Sequence, residues 1–203
     1  MPSLQDAVPP AGAQPHPLHW IRGVVFTALF AALFIAFTFV TVPLWFTPVP
    51  ITLSTLAIML AGGLLGAVYG FASIALVVVL AAAGLPLFHG SGGLSLILGT
   101  SGGYVWMYPI AALLIGFVSD SLFRSRKPLS TFKFVVLLIA IFLFGSLLLY
   151  VTGVPWLAYK AEYSMQKAMA LGCYPFLLGD AIKAAVAALL IRKLRPMLPR
   201  FRP

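Results

Sequence analysis

ITLSTLAIMLAGGLLGAVYGFASIALVVVLAAAGLPLF, residues 51–88, is a run of 38 residues without a charged side chain. One membrane crossing takes about 20 apolar residues for about 30 Å of hydrocarbon. A single helix of this length would reach roughly 57 Å, too far for one crossing. The run is therefore expected to be two helices joined by a tight hairpin, placed in the glycine-bearing stretch Gly62–Gly70. Similar apolar runs lie on either side. Gly23–Val42 stops at Pro43, and Tyr104–Leu122, Phe134–Val151 and Cys173–Leu194 follow. The expected fold is all-α and polytopic, with six transmembrane helices.

Composition agrees. The chain has 203 residues, 62% hydrophobic and 8% charged, with mean hydropathy +1.06. Soluble domains carry about 25% charged residues. The net charge of +9 invites a nucleic-acid reading. The basic residues instead cluster in the gaps between apolar runs, which is a membrane-topology pattern. Arg22, Arg124, Arg126, Lys127, Lys133, Arg192, Lys193, Arg195, Arg200 and Arg202 fall on one side if the helices alternate. Only Lys160 and Lys167 fall on the other. The positive-inside rule then places both termini in the cytoplasm. The loops Pro43–Pro50, His89–Gly103 and Thr152–Leu171 then face outward. Residues 1–20 are read as a disordered cytoplasmic tail, 21–195 as the six-helix transmembrane domain and 196–203 as a basic cytoplasmic tail.

Charge inside the apolar runs is rare, so Asp180 and Lys183 stand out. A charged side chain at membrane depth costs several kcal/mol and is seldom kept for packing alone. An acid and a base three residues apart share one helix face. They form either a structural ion pair or a clamp for a polar ligand. A carboxylate accepts N–H bonds and an ammonium donates to a carbonyl. A urea or an amide offers both. The loop His89–Gly103 holds six glycines in fifteen residues. It is either a connector or a segment folded onto the site, where glycines let backbone amides approach a ligand. Ala28, Ala32 and Ala36 form a small-residue stripe suited to close helix contact, within the chain or with a partner.

Several chemistries find no support. One cysteine, Cys173, allows neither an internal disulfide nor a cysteine metal site. No His, Asp or Glu cluster has metal-ligand spacing. No Gly-x-Ser-x-Gly and no phosphate loop is present. The chain is read as no enzyme, with no metal and no cofactor. A stand-alone secondary transporter of a small vitamin-like solute is the alternative, although no internal repeat is visible.

Six segments together resemble the BioY family. They are Thr47–Leu56, Met59–Gly66, Ala83–Phe88, the Gly92-Gly-Leu94 and Gly99–Tyr104 segments, Gly153–Leu157, and Ala170–Lys183. The resemblance implies a substrate-binding membrane subunit, or S component, of an ATP-driven energy-coupling factor transporter that captures extracellular biotin. It implies a bacterial cell membrane, multi-pass location. It also implies partners: a transmembrane coupling subunit and two ATP-binding-cassette ATPases. Biotin would be cargo, held by Asp180 and Lys183 with Gly102, Gly103 and Tyr104. Ser91, Gly93 and Thr52 complete the expected ligand set, with residues 48–52 as an outer lid. Ala28, Ala32 and Ala36 would dock on the coupling subunit. Ser54 and the Gly99–Gly103 wording depart from many relatives. Ser91 or its neighbours stand where several carry an arginine.

Overall fold

In the computed structural model, residues 18–124 and 129–198 are described. The expected N-terminal tail falls almost wholly outside them, as do Arg126, Lys127 and residues 199–203 of the expected basic tail. Helix α1, Leu18–Phe39, leads into a two-stranded antiparallel ribbon, β1 (Thr41–Val42) and β2 (Ile51–Thr52). Pro43 and Pro50 flank the turn between the strands and cannot donate to a ladder, which keeps the ribbon short.

The long uncharged run divides as its length requires. Helix α2 is Ser54–Leu65 and helix α3 is Ala67–Ala82. The break is Gly66, at φ +85°. That backbone conformation favours glycine, and a Cβ there would sit 2.5 Å from Asp120 Oδ1. Asp120 accepts the Ala67 N–H at 2.9 Å. A carboxylate from another helix thus satisfies an orphan donor at the start of α3, where the helix dipole also favours negative charge.

Small residues bring α2 and α3 against α6, Tyr108–Leu122. A Cβ on Gly62 would lie 2.3 Å from the Ala112 carbonyl, and one on Gly116 would lie 2.4 Å from Ala67. In an apolar surround such close backbone contact replaces the hydrophobic drive. Phe34, Ile58, Met59, Ile74, Ile115 and Leu137 are fully buried in the core.

Two expectations are corrected. The segment after Phe88 is no plain loop, because it holds two short helices, α4 (Leu94–Ile97) and α5 (Gly102–Val105). The fifth span does not end at Val151. Helix α7 (Thr131–Phe142), a π-helical turn (Leu143–Leu147) and α8 (Leu148–Lys160) form one apolar helix of 30 residues. Gly153 and Pro155 promise a stop, since proline removes an intrahelical bond. Here Pro155 lies on the exposed face while Val154 and Leu157 are buried, so packing carries the helix through. Gly153 fits against the Tyr104 ring, where a Cβ would meet ring carbons at 2.3 Å. The expected connection 152–171 is thus mostly helical, ending in α9, Met165–Gly172. Helix α10, Tyr174–Leu194, closes the fold.

Among the described residues, four helices are long and apolar enough to cross a membrane: Trp20–Phe39, Gly102–Leu122, Thr131–Lys160 and Met165–Met197. Helices α2 and α3 are shorter apolar helices. The chain is a helical membrane protein.

The two ends of the bundle differ in chemistry. At one end Arg195 donates to the Gly63 carbonyl, to Ser119 Oγ and to Asp120. Asp120 is therefore part of an interhelical tie joining α2, α3, α6 and the end of α10. Arg192 lies over the Phe134 ring, 5.0 Å from its centroid. Arg195→Met keeps the apolar stem and deletes these bonds. Charge-assisted hydrogen bonds contribute about 1.5–3 kcal/mol each when a partner is left buried. The variant is expected to melt several degrees lower in detergent, and an unchanged melting temperature would show the tie to be idle.

Candidate functional site

The other end of the bundle carries a cavity of about 300 Å³, at the small end of ligand pockets. Asp180, 4% exposed, lies on its wall. Tyr174 begins α10 and Pro175 occupies its first turn, so Asp180 sits about two turns in from the helix start. Its Oδ1 accepts Lys183 Nζ at 3.0 Å. The same ammonium donates to Thr55 Oγ1 at 3.0 Å, from the first turn of α2. Asp180 Oδ2 accepts the Tyr150 hydroxyl of α8. Three helices thus converge on one carboxylate.

Such convergence rewards a buried charge. An isolated carboxylate in an apolar surround loses its hydration, and only a cation and further donors offset that loss. Lys183 supplies the charge, and Tyr150 and Thr55 supply or accept the remaining bonds. The pair is self-neutralised and still faces the cavity with its remaining lone pairs and protons.

The π turn explains why Tyr150 points here. It adds one residue to a helical turn, and one residue is roughly 100° of rotation. Everything after Leu147 is thereby re-aimed. Gly145 within it lets α2 approach, since a Cβ there would meet Met59 Cγ at 2.7 Å.

Aromatic rings build the rest of the wall. Tyr104, Tyr108, Phe88 and Phe176 line it with Tyr150. Tyr104 and Tyr150 meet edge to face at 6.3 Å, and Phe88 stacks on Tyr108 at 6.4 Å. The Tyr104 hydroxyl donates to the Gly172 carbonyl at 2.8 Å, so this ring offers its face and not its oxygen. Thr47 donates to the Leu171 carbonyl at 2.8 Å, which pins the ribbon loop across to α9. Val49, Pro50 and Thr52 of that ribbon line the cavity.

Five of the eight residues named from sequence meet at this wall: Asp180, Lys183, Tyr104, Ser91 and Thr52. Gly93, Gly102 and Gly103 do not line it. A Cβ on Gly102 would lie 2.0 Å from the Ile97 carbonyl, and one on Gly103 would lie 2.4 Å from Trp156 Cβ. These two glycines seat α5 on α4 and α8. Gly93 turns the chain at φ +75° and donates to the Ala81 carbonyl at 2.6 Å. Tyr150, Thr55 and Tyr108 escaped the sequence reading. A hint existed for Tyr150, the lone tyrosine in the run Phe134–Val151, but its position near the end of that run reads equally as an interface anchor.

Ala28, Ala32 and Ala36 are all exposed on one face of α1. They lie away from the cavity wall, flanked by exposed Val25 and Leu29.

Comparison with known proteins fits this geometry. The BioY family profile matches residues 10–200. The chain belongs to the BioY family. It is 36% identical to the biotin transporter BioY of Rhizobium etli, over 88% of this chain and 97% of that one. It is 34% identical to the biotin transporter BioY of Lactococcus lactis, over 86% and 91%. A crystal structure of the S-component for biotin from an ECF-type ABC transporter superposes with a TM-score of 0.82. That chain is 32% identical, and the match covers 93% of this chain and 97% of the other. A membership resting on nearly the whole chain means that its helices, and not one motif, are those of the BioY fold.

Proposed function

We propose that this chain is the biotin-binding S component of an energy-coupling factor transporter and that the cavity beside Asp180 holds biotin. The carrying observation is the cluster of Asp180, Lys183, Thr55 and Tyr150 on the cavity wall. Biotin's ureido ring offers two N–H donors and one carbonyl. Asp180 accepts from the former and Lys183 donates to the latter. The bicyclic body and valeryl chain pack on Tyr104, Tyr108, Phe88 and Phe176. Gly102 and Gly103 contribute by holding Tyr104 in place. Lid action belongs to the ribbon loop, which already borders the cavity through Val49, Pro50 and Thr52.

The reading includes six crossings with both termini in the cytoplasm of a bacterial cell. Helices α2 and α3 serve as the two short crossings, with the ribbon and the α4–α5 segment filling the outer boundary. Supporting this, Arg22, Lys133, Arg192, Lys193 and Arg195 gather at the end opposite the cavity. Gly23 lies against Tyr69 near the capped start of α3, and Phe134 lies against Arg192. Lys160 and Lys167 sit at the cavity end, over Trp156 at 5.2 Å and over Tyr163 at 4.0 Å. Aromatic rings with lysines suit a membrane interface. Transport energy comes from partner ATPases through a coupling subunit that grips the alanine face of α1.

Competition binding tests the assignment. A site that hydrogen-bonds a group rejects an analogue lacking it by roughly ten-thousand-fold, whereas losing a small apolar group changes affinity by roughly 10- to 200-fold. Dethiobiotin keeps the ureido group and is expected to compete within the smaller range. Lipoate has the valeryl tail without the ureido group and is expected to compete in the larger. The reverse order would assign the Asp180–Lys183 pair to structure alone.

A further inference from the structure

The cavity wall is uneven in charge and in depth. Its two formal charges, buried Asp180 and half-buried Lys183, already neutralise each other at 3.0 Å. The part of the wall that reaches solvent is built differently. His89, Ser91 and Ser95 are exposed, and Thr100 and Ser101 are half-buried behind them. No lysine or arginine belongs to this rim among the described residues. The lysines of this end are engaged elsewhere, Lys160 over Trp156 and Tyr159 and Lys167 over Tyr163. His89 is the one titratable group among these rim residues, and partial burial lowers its pKa from the ordinary histidine value, away from the cationic form.

An anionic ligand in such a cavity has one place for its charge. A carboxylate drawn to the buried wall would add a second negative group beside Asp180 and lose its water. At the rim it keeps part of its hydration and meets the hydroxyls of Ser91, Ser95, Thr100 and Ser101 beside the His89 imidazole. Hydroxyls donate and accept alike, so they serve a carboxylate or a carboxamide equally. A substituent beyond that point leaves the cavity past side chains that are themselves exposed, His89, Ser91 and Ser95.

We infer that this site reads the ureido head of its ligand with charge and does not read the charge of the tail, so that tail-capped amides of biotin are ligands of this chain alongside free biotin. The inference rests on the proposed assignment of the cavity to biotin. It sets the ligand class as ureido bicycles with a short acyl tail, neutral or anionic at the end, and it makes the serine and threonine rim the determinant of that breadth.

The test is calorimetry on the purified full-length protein in nanodiscs with three probes: biotin, biotinamide and biotin amide-linked to lysine. Both amides are expected to bind within about tenfold of biotin, since solvent-exposed charge interactions are weak. If biotin binds and both amides bind a hundredfold more weakly or worse, the tail charge is read and the inference is overturned. If biotin itself does not bind, the cavity assignment falls and takes the inference with it. Ser91→Arg gives a gain-of-selectivity arm. Ser91 is exposed, so the longer side chain has room, and the ratio of biotin to biotinamide affinity is expected to rise at least fivefold. An unmoved ratio would show that the tail does not end at this rim.

Discussion

Lys183→Ala is expected to lower biotin affinity by several hundred-fold or more. Among the described residues the ammonium is the only cation on Asp180, which is 5% exposed in its side chain. Removing one partner of a buried pair leaves the other charged and unpaired, at a cost of about 3–5 kcal/mol. The variant also loses the proposed donor to the ureido carbonyl. Part of the cost appears as lower stability, because Asp180 is unpaired before any ligand arrives. The remainder appears as weaker binding. Titration with labelled biotin and a melting curve on the same preparation separate the two. Affinity equal to the parent would remove Lys183 from the site. Asp180→Asn/Lys183→Ala together is a useful companion, since it leaves no unpaired charge. It is expected to recover melting temperature without recovering affinity.

Ala32→Leu is expected to abolish uptake while leaving biotin binding within about twofold of the parent. The side chain is exposed on α1 and takes no part in the cavity wall. A branched side chain added there meets nothing inside the subunit. It stands where another helix would have to approach closely, and small-residue contacts in lipid tolerate little added bulk. Uptake of labelled biotin in cells with the complete transporter, alongside binding to the purified subunit, gives the split. Equal loss of both would mean that the alanine face packs within this chain. No loss of either would mean that the partner grips elsewhere.

The sequence alone settled the membrane class. An uncharged run of 38 residues must break to fit a bilayer, and glycine is where a chain breaks most easily, so the division near residue 66 was legible. So was the acid–base pair, because charge in an apolar run is conspicuous whatever surrounds it. What sequence spacing could not carry was the company these two keep. Thr55 and Tyr150 lie 125 and 30 residues from Asp180 along the chain, and hydroxyls scattered through apolar helices give no one-dimensional signal. The π turn that aims Tyr150 is equally silent, since it follows from packing between α2 and α7–α8 and not from local preference. The same reason holds for the loop glycines. A glycine pair in a loop can cradle a ligand or let two helices touch, and only tertiary structure shows Gly102 and Gly103 packed on the Ile97 carbonyl and Trp156. Pro155 reads as a stop by local rules, yet the burial of Val154 and Leu157 carries the helix past it. Spacing and composition determined which segments must be apolar helices and which charges could not be idle. Tertiary contact decided which groups those charges meet, because a cavity wall is assembled from residues whose only common property is where the packed helices bring them.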